Sequence, residues 1–143
     1  MTTVQDVLMS KGPDVIVAPS TATVFEAARM MAQARVGAVV VRDGGRIMGI
    51  FTERDLLTRV VVAKKDAATV PLCEVMTKQV RTCRLDDDLV TCGEIMAAEH
   101  IRHLAVVEEG ALVGLVGVRD VMAARIAEPA QPAEPATPGR MAP

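Results

Sequence analysis

The sequence predicts an α+β fold: two βαββα repeats forming a single compact module. Three observations predict it. Sliding the 143-residue chain by 65 positions lays Val24–Leu57 over Leu89–Met122 without a gap. Seven pairs are then identical: Met31/Met96, Ala32/Ala97, Val41/Val106, Gly45/Gly110, Gly49/Gly114, Arg54/Arg119 and Asp55/Asp120. The apolar positions coincide too, as in Val24/Leu89, Val39/Leu104, Ile47/Leu112 and Ile50/Leu115, and an offset of 68 aligns "VQDVLMSK" with "LCEVMTKQ". Recurrence at a fixed spacing marks a repeated unit, and each unit here alternates strand and helix signals.

In chain order, "DVIVA" (Asp14–Ala18) is a short β-branched strand and "VRTC" (Val80–Cys83) is its weaker counterpart. "STATVFEAARMMAQARV" opens with hydroxyl residues and then places Val24, Ala27, Ala28 and Met31 at helical spacing. Its second copy opens with Asp86–Asp88, carboxylates suited to an N-cap and to the positive end of a helix dipole. "GAVVVRDGGRIMGIFT" and "LAVVEEGALVGLVG" read as hairpins. Each hairpin feeds a helix, from Glu53 to about Lys65 and from Val118 to about Glu128. Residues 1–65 thus form the first repeat with its lead-in, 66–71 ("DAATVP") the linker and 72–128 the second repeat. A unit of roughly 55 residues buries too little surface to be comfortable alone, so the two are expected to share an apolar interface. The Pro/Ala-rich tail, 129–143, has almost no large apolar residue and is expected to be disordered.

Composition removes several function classes. Half the residues are apolar, yet there is no Trp or Tyr and the only Phe are Phe25 and Phe51, so the core is aliphatic, with methionines as adaptable filler. A formal net charge of −2 leaves no basic footprint for nucleic acid, and stacking aromatics are missing. No apolar run approaches the roughly 20 residues of a membrane helix. Asp6 stands where a secretory segment would be apolar. Cys73, Cys83 and Cys92 are odd in number and unpaired in spacing, which predicts no disulfide framework and a cytoplasmic setting. His100 and His103 are three apart, but the chain is expected to pass from helix to strand between them, and no further ligands accompany them. Neither a metal site nor a nucleophile–base pair is predicted, so no catalytic residue is assigned and the chain is read as a non-enzyme.

The repeated sentence "GIFTERDLL" and "GLVGVRDVM" carries the chemistry. A strand ends in Gly-hydrophobic-x-Thr/Ser-x-x-Asp, present in full as Gly49, Ile50, Thr52 and Asp55. With "KGPDVIV", "RVGAVVVRDGG", "EVMTK" and "IRHLAVVEEGALVG", this pattern resembles a tandem pair of CBS domains, a Bateman module, over about Val4 to Ala127. The resemblance implies that the two repeats pack by their sheets about a pseudo-two-fold axis and leave two clefts. It implies an adenosine ligand there (AMP, ADP or ATP, or S-adenosylmethionine or NAD) acting as a regulatory signal with no required cofactor. It further implies pairing into a disc-like homodimer that reports to an unknown regulated protein, with no nucleic acid or membrane partner.

The residue types fit such a ligand independently. An Asp at a helix start can accept from both ribose hydroxyls, the Thr hydroxyl and first-turn N–H groups suit a phosphate, and Arg54 offers a guanidinium fork. Adenine needs an apolar slot and a backbone edge. Carried over by resemblance, the stronger cleft comprises Gly49, Ile50, Thr52, Arg54 and Asp55, completed by Val80, Arg81, Arg102 and His103. The weaker one comprises Arg119 and Asp120 with Val15, Ile16, Val36 and Gly37.

The chain departs from the pattern where Gly117 replaces the Thr/Ser, and where Val40 and Ala105 stand in place of a frequent proline. Unequal clefts are therefore expected. Two alternatives stay open beside this reading. On their own, Thr52 and Asp55 are ordinary N-cap residues. And a dimeric scaffold with decayed clefts would account for Gly117.

Overall fold

The computed structural model describes residues 1–12 and 15–127; Asp14 and the tail at 129–143 lie outside the described residues. Helix α1 (Val4–Lys11) is opened by a capping box between Thr3 and Asp6. Strand β1 (Val17–Ala18) leads to helix α2 (Val24–Ala34), opened by a second capping box, Thr23 with Glu26. Strands β2 (Ala38–Asp43) and β3 (Arg46–Thr52) form the first hairpin, and α3 (Glu53–Asp55) follows at once. The second half runs α4 (Leu72–Val75), β4 (Thr82–Cys83), α5 (Leu89–Glu99), β5 (His103–Glu108), β6 (Ala111–Gly117) and α6 (Val118–Ala127). Asp88 caps α5, accepting from the Val90 N–H. Each half is a three-stranded sheet in which a short parallel strand joins an antiparallel hairpin, in the orders β1-β2-β3 and β4-β5-β6. The βαββα order is therefore as the sequence predicts, within an α+β module. The opening strands are only two residues long.

The helix expected from Glu53 to about Lys65 is α-helical for one turn only. Residues Leu56–Val61 form a π-helical turn, with the Val62 N–H donating to the Leu57 carbonyl at 2.9 Å and the Lys65 N–H to the Val60 carbonyl at 2.9 Å. Side chains hold the wider turn: the Thr58 hydroxyl donates back to the Arg54 carbonyl, and Arg59 leans across to the Met76 carbonyl at 3.1 Å. Such bulges cluster at functional sites. The equivalent α6 is a regular helix.

Alternate residues of a strand face opposite sides. Val39, Val41 and Phe51 face α2 in one apolar cluster, and Leu104, Val106 and Val116 face α5 in another. Val40 and Ala105 belong to neither cluster, yet both are fully buried. Their N–H groups are used. Val40 donates to the Ile16 carbonyl at 2.9 Å and Ala105 to the Arg81 carbonyl at 3.0 Å, bonds that a proline would lack.

The lead-in segments are exchanged. Val4 and Leu8 of α1 pack into the second cluster, while Leu72, Val75 and Met76 pack into the first. Backbone bonds repeat the exchange: the Val4 N–H donates to the Asp87 carbonyl, and the Leu72 N–H to the Ala22 carbonyl. Gly49 permits one of these approaches, since a Cβ there would lie 2.7 Å from both the Met76 sulfur and the Thr77 carbonyl oxygen. Of the cysteines, Cys83 and Cys92 are buried in the second cluster and Cys73 is exposed. Burial pushes the Cys83 thiol up to about 12, so it is unreactive.

Candidate functional site

Strand β3 delivers Thr52 to the start of α3, where the two alternative readings of this terminus meet. Thr52 Oγ1 accepts from the Asp55 N–H at 3.2 Å, and Asp55 Oδ2 accepts from the Thr52 N–H at 3.0 Å, a reciprocal cap. The Thr77 hydroxyl then donates to both carboxylate oxygens, at 3.1 and 3.2 Å, and Arg59 Nε lies 3.5 Å from Oδ1, one helical turn on. Asp55 is only 5 % exposed and is the one buried charged residue among those described. An ionised carboxylate has about four lone-pair sites, and these partners already place two contacts on each oxygen, so a ligand hydroxyl there takes the place of the shared Thr77 bond. Thr52, as an acceptor in the cap, keeps its own O–H to donate. Capping and binding are therefore compatible.

This terminus opens onto a cavity of about 270 Å³ between the halves. Eight of the nine residues expected in the stronger cleft line it: Ile50, Thr52, Arg54, Asp55, Val80, Arg81, Arg102 and His103. The ninth, Gly49, stands behind the wall, where it admits Met76 and Thr77. The Val80 backbone makes no hydrogen bond among the described residues, leaving a free polar edge at the cavity wall. Of the four arginines on this side, three are engaged and, among the described residues, Arg102 is not. Arg54 Nη1 donates to the His100 carbonyl at 3.3 Å, Arg81 pairs with Glu99, and Arg59 holds Asp55 and the Met76 carbonyl.

The second cleft, about 280 Å³, is built on the pseudo-equivalent terminus of β6 and α6. Val36, Gly37, Arg119 and Asp120 line it as expected. Val15 and Ile16 are not on its wall, and Ile16 packs against the first apolar cluster instead. Asp120 Oδ2 accepts from the Gly117 N–H at 2.8 Å, preserving half of the cap without a hydroxyl. A cation already sits on the same oxygen: Lys11 Nζ is 2.9 Å away and also donates to the Leu115 carbonyl at 2.8 Å.

Gly37, Glu53, Arg102 and His103 line both cavities and so form a shared wall. His103 opens β5 three residues after His100 ends α5 in a left-handed conformation, so the two histidines lie on different elements. Burial, reinforced by Arg102 and Lys11 and opposed by Asp120 and Glu53, holds the His103 imidazole below its usual pKa and therefore neutral at physiological pH. Its Nδ1 is buried without a partner. Among the described residues no group of three or more His, Cys, Asp or Glu could hold a metal ion, and no helix is long and apolar enough to cross a membrane.

Several cleft residues had no clear sequence signal. Thr77 has Met9 as its repeat counterpart, so the alignment is silent about a hydroxyl there. Lys11 reaches Asp120 across 109 positions, beyond any periodicity. Arg59 was legible in principle, lying i+4 from Asp55 on a helix.

Comparison with known proteins places these features in one group. The family model described as CBS domain matches twice, over residues 4–62 and 72–127. The chain is 34% identical over 99 residues to the CBS domain-containing protein YhcV of Bacillus subtilis, covering 69% of this chain and 70% of that one. It is 30% identical over 129 residues to the mitochondrial CBS domain-containing protein CBSX3 of Arabidopsis thaliana, of which it spans 63% of the length. Against two further Arabidopsis relatives, CBSCBSPB5 and CBSCBSPB4, it spans 18%. Among solved structures it is similar to the CBS-domain containing protein ATU1752 of Agrobacterium tumefaciens, with a TM-score of 0.82, 37% identity, and 87% and 99% of the two chains covered. A Pyrobaculum aerophilum CBS domain protein solved in complex with AMP gives a TM-score of 0.74 at 31% identity, covering 83% and 89%. The CBS domain pair of protein MJ0100, solved with 5-methylthioadenosine and S-adenosylmethionine, gives 0.77 at 25%, covering 87% and 96%.

Proposed function

The chain belongs to the CBS-domain family, and from that premise we propose that it is a regulatory module that senses an adenosine nucleotide in the first cleft and passes its state to a partner protein. The observation that carries this reading is Asp55. It is a buried carboxylate at the foot of a cavity, braced by Thr52, Thr77 and Arg59, and the Thr77 hydroxyl that bridges its two oxygens can give way to the two hydroxyls of a ribose. The Thr52 hydroxyl and Arg54 suit a 5′-phosphate beside it. Ile50 and the free Val80 edge suit adenine. The AMP complex of the Pyrobaculum relative supports this ligand class. The module binds and does not catalyse, since the cleft offers carboxylate, hydroxyl and guanidinium but no nucleophile–base pair. Its setting is the cytoplasm.

The same reading includes a homodimer. Pseudo-equivalent apolar side chains stand exposed in both halves, Phe25 with Val90 and Leu57 with Met122, and Val61 and Val62 follow Leu57 at the end of its own helical segment.

The test is a thermal-shift panel of AMP, ADP, ATP, NAD and S-adenosylmethionine on the full chain. A ligand present at a hundredfold excess over Kd adds about 2.7 kcal/mol to stability. A shift with at least one of these that disappears in Asp55→Ala supports the reading. Silence across the panel overturns it in favour of a dimeric scaffold.

A further inference from the structure

The two clefts divide the parts of a nucleotide site unequally. In the first, the carboxylate is held mainly by neutral donors, and Arg54, Arg59 and Arg81 are each committed to protein groups. In the second, the opposite holds. Lys11 occupies the Asp120 carboxylate, so the group that would take a ribose diol is already neutralised and hydrogen-bonded. Arg35, Arg102 and Arg119 line the cavity, Arg102 on the wall it shares with the first cleft, and their guanidiniums make no hydrogen bond or ion pair among the described residues.

The charge balance follows. With Lys11 and Asp120 cancelling, the lining of this cavity of about 280 Å³ holds three arginines without a partner and one further carboxylate, Glu53. Glu53 itself is turned toward Gly37, where its carboxylate fills the space a Cβ would need. His103 contributes no charge, because burial keeps it neutral. Arginine forks match the paired oxygens of phosphate, and several converging on one cavity match a chain of phosphates.

We propose that the second cleft binds an oligophosphate chain of the pyrophosphate or triphosphate class, held by Arg35, Arg102 and Arg119, and that Lys11 keeps ribose off Asp120. The chain is either free or the tail of a nucleotide. This site stands independently of the adenosine reading of the first cleft.

Calorimetric titration of the full chain with inorganic tripolyphosphate, in magnesium-free buffer at physiological salt, tests it. One molecule bound per chain is expected, with affinity falling more than tenfold in the Arg35→Gln/Arg119→Gln double variant. Both residues are exposed, so folding is not at stake. The control removes the same two charges elsewhere: Arg29→Gln/Arg46→Gln, whose residues line neither cleft, should change affinity less than twofold. No tripolyphosphate binding, or equal losses in the two double variants, overturns the proposal. Saturating tripolyphosphate then separates the sources. Adenosine affinity stays unchanged in either case, whereas ATP affinity falls only if its tail enters the second cleft. Loss of adenosine binding on adding tripolyphosphate would place both ligands in one cleft and also overturn the proposal. Failure of adenosine itself to bind counts against the first-cleft reading alone.

Discussion

The two Arg–Asp termini are the same backbone device with different side chains across the strand. In the first, Thr52 is the cross-strand partner of Ala38; in the second, Gly117 is the partner of His103. The next residue makes the same bond in both, Glu53 N–H to the Gly37 carbonyl and Val118 N–H to the Arg102 carbonyl. Bulk has been exchanged across the pair. A Cβ added at Gly117 would come within 3.2 Å of His103 Cδ2 and 3.3 Å of the Arg102 carbonyl oxygen, so the missing threonine is explained by the imidazole in its place. The bracing of the carboxylates differs in the same sense. A hydroxyl, Thr77, reaches Asp55, and an ammonium, Lys11, reaches Asp120. A repeated motif therefore does not ensure a repeated site, because its chemistry is set by residues that the repeat does not copy.

The largest expected effect separates the two carboxylates by ligand binding. On the proposed reading Asp55→Ala removes two charge-assisted hydrogen bonds to a ribose, together roughly 3 kcal/mol or more, and AMP affinity should fall by about a hundredfold or more. Asp120→Ala should change it little. Urea melts on both variants establish that they are folded, and similar losses of AMP affinity would abolish the distinction between the clefts. Next in size is the exchange of bulk. Gly117→Thr should destabilise the protein by about 1–3 kcal/mol through overpacking. The cost should fall by at least half in a His103→Ala background, read as non-additivity in a double-mutant cycle. Equal costs in the two backgrounds would show that His103 and Gly117 are not compensating.

The smallest effect is a pH slope. His103 is held neutral by burial, so below the usual histidine pKa of about 6.5 the unfolded chain binds a proton that the folded chain refuses. Stability then falls as pH falls from there toward the lowered folded value. Asp6, Glu26 and Asp43, whose pKa values are lowered by hydrogen bonds, lose their contributions only at more acid pH. Urea midpoints at pH 7.5 and 5.5 should differ in the wild type, and His103→Gln should flatten the difference. An unchanged slope would remove His103 as its source.

Much of this was legible in the sequence because it is local or repeated. The capping of α2 by Thr23 and Glu26, the hairpins, and the cap at Thr52 and Asp55 each sit within a few residues. The resemblance to CBS pairs, not the repeat itself, pointed to Val80, Arg81, Arg102 and His103 as partners of Asp55, and they line the same cavity. The rest depends on tertiary contact. Lys11 and Thr77 act on residues far along the chain, at positions where the repeats differ, and neither pattern nor propensity encodes such a meeting. The π-helical turn was invisible for a related reason: Arg59 and Thr58 hold it through carbonyls that only the folded chain brings near. Val15 and Ile16 show the converse: neither lines the second cleft, and Ile16 packs against the first apolar cluster instead.

The exchange of lead-in segments has a consequence for how the chain comes off the ribosome. Val4 and Leu8 are made early, but the surfaces that bury them, Leu89, Met96, Leu104 and Val116, are made late. The first helix must wait, its apolar face uncovered, while the first sheet and α2 assemble beside it and receive Leu72 and Val75 as their own cover. Helix α1 therefore cannot take its place in the second cluster before the residues of that cluster have been made. A nascent chain stalled before β6 would hold a nearly complete first half with its opening helix still unhoused, a natural target for a chaperone.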